Sequence, residues 1–456
     1  MSKRRRGHRG LKTPPKRLGK PQHKTRTVPP LTLGVLAVGF AIGFMTLHGY
    51  QDRPPFAEEA NIAWHVALGH GFRSPMDASP AAPPSAWSAP LYPLVIAAAY
   101  RLLGMGSPAA VTAVMLLNAV FFGMIVVGTE RLATFLFGSQ VPGLLAAGLL
   151  AIHPLFLFYM ADFWDGFMSL AIFVWLTVAA MLGDVARETR EAREAAPGGR
   201  ISYVHAGALG AGMGFLALTN TSYAIAYPVL LYLAFRQRLS VSRWRLCAVA
   251  CAAAIVVISP WTIRNYEAFG QLIPVRTGTG VQFWIGNAPV SGGWLNAKAF
   301  AVHPYVNPVE RQSLLTLGEP AYNDLAFKRF EDGLVANPIA YLVNCLRRSM
   351  YLLVGQPAEP VEYPLLVNWE WRGVFWDSLL LNASVAILGV GGMVAARRFR
   401  YRQSALPVLA ASVALPFIAT AVTDRYSLPL RWLLVMYAGA CVWMLFRWRD
   451  AQIRTP

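Results

Sequence analysis

Carboxylates and guanidinium groups stand in a few separate stretches of an otherwise apolar sequence. Glu58 and Glu59 open a helical stretch that runs from Ala57 to Leu68. Neighbours on a helix point about 100° apart, so only one of the two can face a given site. Either both are solvated N-terminal carboxylates favoured by the helix dipole, or one is held at the water–lipid boundary facing a substrate. Asp162 and Asp165 lie in Tyr159-Met160-Ala161-Asp162-Phe163-Trp164-Asp165, after His153-Pro154. A carboxylate at the edge of a membrane span is costly unless hydrated or paired, which makes both candidates; the plain alternative is a cap on the next span. Arg264 follows Ser259-Pro260-Trp261, where Pro260 is expected to end or kink a helix. Guanidinium binds phosphate through bidentate, charge-assisted bonds. Arg276, with Thr277-Gly278-Thr279-Gly280 after it, adds a second guanidinium and exposed backbone N–H groups. The same arginines could serve as interfacial anchors. Gly278 and Gly280 lack the strand context and spacing of a dinucleotide fingerprint. Arg425 is either a third phosphate contact or half of a weak surface pair with Asp424. His153 and His303 are further candidates for acceptor or metal contacts. His303 with Glu310 and Glu319 could hold a cation, at a spacing that specifies nothing.

The elements that must position these groups are membrane spans. With 55% hydrophobic and 14% charged residues and a mean hydropathy of +0.41, the composition does not fit a soluble globular chain. The net charge of +18 does not point to nucleic acid, because the basic residues flank apolar runs. The run from Lys3 to Arg26 precedes the first of them, which places the N-terminus in the cytoplasm by the positive-inside rule. This tail, 1–29, has Pro and no apolar period and is expected to be disordered. The first span carries no small-residue cleavage site and is not a removable signal. Cys247, Cys251, Cys345 and Cys441 have neither disulfide nor zinc spacing and read as packing residues.

Hydropathy and charge give about ten spans with both termini inside: 31–49, 109–130, 141–159, 166–183, 203–219, 222–235, 246–262, 376–395, 404–422 and 429–446. The apolar stretch from Ala89 to Leu103, at about 15 residues, is short for a crossing and is laid along the outer interface. The expected organisation is an N-terminal transmembrane module, 30–262, containing a first outer loop, 50–108. An outer segment, 263–375, follows, and then C-terminal spans and a short cytoplasmic tail, 376–456. The amphipathic stretch Ala340 to Leu353 is expected on the outer leaflet, with Arg347 or Arg348 on lipid headgroups. In this parity Glu58, Asp165, Arg264, Arg276 and Arg425 share the outer side.

Three motifs carry a resemblance. Glu58-x-x-x-Ile62-Ala63, Gly69-His70-Gly71-Phe72 and Ala86-Trp87-x-Ala89-Pro90-Leu91-Tyr92-Pro93 resemble the first loop of the GT-C glycosyltransferases. The branch is that of the bacterial relatives of protein O-mannosyltransferases and the aminoarabinose–lipid A transferase. Pro260-Trp261-Thr262-Ile263-Arg264-Asn265-Tyr266, Pro274-Val275-Arg276 and Gly286-Asn287 are similar to a bacterial subgroup, and Arg425-Tyr426-x-Leu428-Pro429 to an element near the end of related transferases. The resemblance implies an all-α polytopic membrane protein that moves a sugar from a polyprenyl-phosphate carrier to an acceptor lipid, glycan or protein outside the cytoplasm. It makes Glu58 the general base or hydrogen-bond acceptor for the acceptor hydroxyl or amine, with Asp165 near a metal or phosphate. Arg264, Arg276 and Arg425 would meet the donor phosphate. Many relatives carry Asp-Glu where this chain has Glu58-Glu59, and Asp52 upstream could substitute. A divalent metal cation is a candidate cofactor with no assigned ligand set. The implied location is the bacterial inner membrane, with the site on its periplasmic face and membrane lipids as partners. A lipid or solute transporter and a non-catalytic subunit of envelope assembly are the alternatives; the first would place ionisable groups at mid-span.

Overall fold

A computed structural model describes residues 28–47, 49, 58–182, 200–236, 240–295, 297–355, 371–398 and 405–453. The tail up to residue 27, Asp52, most of the loops 187–200 and 397–402, and residues 356–370 of the outer segment lie outside the described residues. Among those described, the chain is helical, with a single isolated antiparallel bridge between Arg73 and Pro84.

In chain order the helices are α1 (Pro30–Leu47), α2 (Glu58–Ala67), α3 (Leu91–Leu103), α4 (Pro108–Phe137), α5 (Gln140–Ala151), α6 (Pro154–Tyr159), α7 (Gly166–Leu182), α8 (Arg200–Ala217), α9 (Tyr227–Phe235), α10 (Ser240–Phe269), α11 (Thr279–Asn287), α12 (Ala297–Phe300), α13 (Pro308–Leu317), α14 (Glu319–Ala336), α15 (Pro338–Val354), α16 (Trp371–Arg398), α17 (Leu406–Ala419) and α18 (Leu428–Ile453). Stretches of α1, α4, α10, α16 and α18 are long and apolar enough to cross a membrane. Their outward apolar side chains, such as Leu36, Val256 and Ile387, are more than 60% exposed, an arrangement that needs lipid rather than water around it. Shorter apolar helices include α3, α5, α7 and α17. The result is an all-helical, polytopic membrane fold.

Two expectations about helix ends change. The span expected over 141–159 is two helices, α5 and α6, divided at His153-Pro154. Pro154 takes the first position of α6, where a missing N–H costs nothing. Pro260, by contrast, does not end its helix: α10 continues through it to Phe269. The proline cannot donate to the carbonyl of Val256, and Ser259 Oγ donates to that oxygen instead, at 3.0 Å.

Small residues let the long helices pack. A Cβ on Gly210 of α8 would fall 2.0 Å from the carbonyl oxygen of Ala250 in α10, and one on Gly392 of α16 would fall 2.2 Å from that of Tyr437 in α18. Backbones this close leave room only for glycine. A second apolar cluster, separate from the bundle core, joins Ile62 of α2 and Trp87 to Val281 and Ile285 of α11, Leu314 of α13 and Tyr322 and Ala326 of α14. It fastens the segment after α10 onto the loop after α2, and the candidate site lies against this cluster.

Arg348 does not reach a lipid headgroup. It is fully buried under α15. Its Nε donates to Gly293 O at 2.7 Å, Nη1 to Ile418 O at 2.9 Å and Ala419 O at 3.2 Å, and Nη2 to Gly286 O at 2.5 Å and Asn287 Oδ1 at 2.6 Å. The guanidinium therefore satisfies the last carbonyls of α11 and α17, where the helix dipoles favour a cation. Burial holds its pKa down at about 10, and its neighbours Cys345 and Tyr341 oppose that. Arg347, next to it, is the exposed one.

Candidate functional site

The site begins at the first residue of α2. Ile62 and Ala63 bury one side of this short helix, and Gly69, at φ 86°, lets the chain turn away after it. The loop then folds back through Ser85-Ala86-Trp87. There the indole Nε1–H of Trp87 donates to Glu58 Oε2 at 2.7 Å. Glu58 Oε1 faces His303 Nε2 at 3.4 Å. His303 Nδ1 accepts the Tyr305 N–H at 3.0 Å, so a neutral ring carries its proton on Nε2, toward the carboxylate. Burial, with Arg425 adding to it, pushes the His303 pKa down to about 3, so the ring is neutral near pH 7. Glu58 is thus oriented by the Trp87 indole N–H, with the uncharged His303 ring beside it.

The acids crowd one another. Burial raises the pKa of Glu58, against the pull of Trp87, Arg276 and Arg425. Burial and then the charge of Glu58 raise that of Glu59. Asp165, fixed at the start of α7, is pushed up to about 7 by burial and then by Glu59. Its side chain accepts a hydrogen bond from Asn220, whose own Oδ1 accepts the Ser222 N–H at 3.0 Å. Three neighbouring carboxyl groups with raised pKa values therefore titrate as a set. Asp162 belongs to the same neighbourhood and faces Arg425.

Two of the expected arginines meet this cluster. Arg276 and Arg425 both lower the pKa of Glu58, Glu59 and Asp165. Among the described residues Arg276 donates only from Nε, to Thr277 O at 3.3 Å, which leaves both Nη groups for a ligand. Arg425 lies over the rings of Trp164, at 5.2 Å, and Tyr426, at 5.5 Å. Arg264 is occupied differently. Its Nη1 donates to Ser85 O at 2.8 Å and Asn265 Oδ1 at 3.1 Å, its Nη2 donates to Phe72 O at 2.9 Å, and the guanidinium stacks on Trp261 at 4.8 Å. It clamps the loop after α2 to α10.

His153 is not part of the cluster. It is buried at the head of α6, where Nδ1 accepts the Leu155 N–H at 3.3 Å, and its charged neighbour is Arg431. The suggested cation group of His303, Glu310 and Glu319 does not form. Glu310 pairs with Arg329 at 3.0 Å and accepts from Tyr322 at 2.8 Å, while Glu319 is held by Ser85, Ala86 and Thr277. Among the described residues no three His, Cys, Asp or Glu side chains could hold a metal ion. Trp87 is a neighbour of Glu58 that the residue pattern did not single out, and Glu319, expected only in a cation group, instead holds the loop at Ser85-Ala86. The only signal for Trp87 was a large amphipathic ring in the quoted Ala86-Trp87-x-Ala89-Pro90 stretch.

The arrangement of helices is that of solved membrane proteins. The oligosaccharyltransferase of Archaeoglobus fulgidus, in its apo form, superimposes with a TM-score of 0.53 at 12% identity, over 93% of this chain and 52% of that one. The chain shares the fold of that protein. Archaeal AglB from the same organism, in complex with an inhibitory peptide and a dolichol-phosphate, gives 0.52 at 13% identity over 94% of this chain and 52% of that one. The chain spans about half the length of those proteins. ArnT from Cupriavidus metallidurans, bound to undecaprenyl phosphate, aligns at 14% identity over 90% of this chain and 77% of that one, with a TM-score of 0.39 that carries no argument. No protein-family model matches the sequence, and no curated protein matches it.

Proposed function

We propose that this chain is a glycosyltransferase of the bacterial inner membrane. It moves a sugar from a polyprenyl-phosphate carrier to an acceptor on the periplasmic side, with both termini in the cytoplasm. The observation behind the reading is the meeting of Glu58, Glu59 and Asp165 with Arg276 and Arg425, contributed by four distant stretches of chain to one half-buried cluster. The dolichol-phosphate in the AglB complex and the fold shared with it support a lipid-linked donor.

The acceptor hydroxyl or amine attacks the anomeric carbon as the bond from that carbon to the phosphate oxygen breaks. Glu58 takes the acceptor proton. A carboxyl whose pKa burial has raised is a better base near neutrality than a free one. Trp87 and His303 hold it in one orientation without adding charge, which limits the entropy lost in reaching the transition state. The departing polyprenyl phosphate gains negative charge, and Arg276 and Arg425 meet it, a form of stabilisation that is often the largest single contribution. Asp165, tethered by Asn220, positions the acceptor. Arg264 supports this site through the loop it clamps rather than by touching phosphate. The test is reconstitution in proteoliposomes with a polyprenyl-phosphate sugar and envelope lipid acceptors, with mass spectrometry reading free polyprenyl phosphate. Wild-type protein should release it only when acceptor is present; uptake or scrambling of the lipid with no covalent product would replace the reading with a transporter.

A further inference from the structure

Glu319 is the first residue of α14, far in sequence from both the base and the arginines, and 5% exposed. Each of its oxygens is used. Oε2 accepts from Ser85 Oγ at 2.7 Å, and Oε1 accepts from the Ala86 N–H at 2.9 Å and from the Thr277 hydroxyl. Burial raises its pKa, and against that stand three donors and the nearby Arg264. A buried carboxylate with three donors is firmly placed, and it places its donors in return.

Those donors lead in two directions. Ser85 Oγ also accepts the Trp87 N–H at 3.0 Å, and the other end of Trp87 donates to Glu58. Thr277 directly follows Arg276, accepts its Nε–H at 3.3 Å and pairs its own N–H with Ala86 O at 2.9 Å. The geometry points to Glu319 as a positioning residue that sets the separation between the base, through Ser85 and Trp87, and the phosphate-binding Arg276, through Thr277. It touches neither donor nor acceptor. This inference rests on the transferase reading above and assigns a control of that site to a helix outside the membrane bundle. Transfer requires base and leaving group on opposite sides of one carbon, so a fixed span between Glu58 and Arg276 is a requirement of the chemistry.

The two arms can be cut separately with small changes in shape. Thr277→Val removes one hydroxyl and should raise the KM for the polyprenyl-phosphate sugar about tenfold while leaving kcat within about twofold, the loss of one oriented charge-assisted contact. Ser85→Ala should lower kcat about tenfold with KM for the donor unchanged. It should also move the acid limb of the pH profile upward, because a loosened Trp87 no longer lowers the Glu58 pKa. Glu319→Gln, which keeps size and one acceptor oxygen, should retain more activity than Glu319→Ala, and melting curves of all four variants report whether they fold. A lower Tm with no split between KM and kcat, and no movement of the pH profile, makes Glu319 a structural tie and overturns the inference while the transferase reading survives. A wild-type protein that neither binds undecaprenyl phosphate nor transfers sugar overturns both.

Discussion

His303 Nε2 lies 3.4 Å from Glu58 Oε1, yet the two do not form an ion pair. The Tyr305 N–H occupies Nδ1, and burial drives the ring pKa to about 3, so the imidazole stays neutral and turns Nε2 toward Glu58 without a charge. A charged histidine would hold Glu58 ionised and weaken it as a base; a neutral donor orients it and costs less basicity. His303→Gln keeps an N–H donor and should retain activity to within about tenfold. His303→Ala removes the donor and should shift the acid limb of kcat/KM to higher pH, since a carboxylate that loses a hydrogen bond gains pKa. The same histidine affects stability. Its folded pKa lies below the ordinary value of 6.5, so the stability it permits is complete above about pH 6.5 and declines as pH falls toward 3. Melting curves from pH 7 to pH 4 should be less steep for His303→Gln than for wild type.

Glu58 and Glu59 are adjacent but not equivalent. Only Glu58 is held by Trp87. Glu58→Gln should lower kcat by about 100-fold to 10,000-fold, the usual size of a general-base contribution, with Glu59→Gln costing about tenfold or less. Both variants should keep the wild-type Tm to within a few degrees. The reverse order in kcat would move the base to Glu59.

Arg276→Ala should raise the KM for the lipid donor by about 10- to 100-fold, as expected for a lost charge-assisted phosphate contact. Inorganic phosphate or undecaprenyl phosphate should compete with donor on wild type and compete poorly on the variant. Unchanged competition would remove Arg276 from the phosphate site.

Asp165 carries a stability cost that depends on pH. Its pKa is about 7 in the fold against an ordinary 3.8, so the folded protein is favoured while the group is protonated, and that advantage is lost as pH rises through 7. Asp165→Asn should therefore melt several degrees above wild type at pH 8 and near it at pH 4, while transfer falls. A constant difference in Tm across that range would contradict the raised pKa.

Arg348→Lys should be nearly as destabilising as Arg348→Met. An ammonium cannot reach the five acceptors that the planar guanidinium serves at once. Thermal unfolding in detergent reads this directly, and Arg347→Lys next to it should change little.

Much of the helical layout was legible because span formation depends on local composition. The apolar runs over 109–130 and 429–446 reappear within α4 and α18. The break at His153-Pro154 was harder to see, because apolar residues continue on both sides and hydropathy averages over a proline. At Pro260 the expected end does not occur: a rule about missing N–H groups does not anticipate the Ser259 hydroxyl that donates to the freed Val256 carbonyl. Residue type marks Arg264, Arg276 and Arg348 as cations but does not say what each meets. Arg276 keeps its Nη groups, whereas Arg264 and Arg348 spend theirs on carbonyl oxygens. Those partners are brought in by tertiary contacts that no spacing encodes. The Trp87–Glu58 and Glu319–Thr277 bonds are of the same kind.

If Glu58 is the base, transfer in the cell depends on its carboxylate. The most direct measurement is mass spectrometry of envelope glycans and lipids from a strain lacking the gene, complemented with wild type or with Glu58→Gln at equal protein level. Wild type should restore one sugar-bearing species that Glu58→Gln leaves missing, with the unmodified acceptor accumulating. Full restoration by Glu58→Gln would rule out Glu58 as the base.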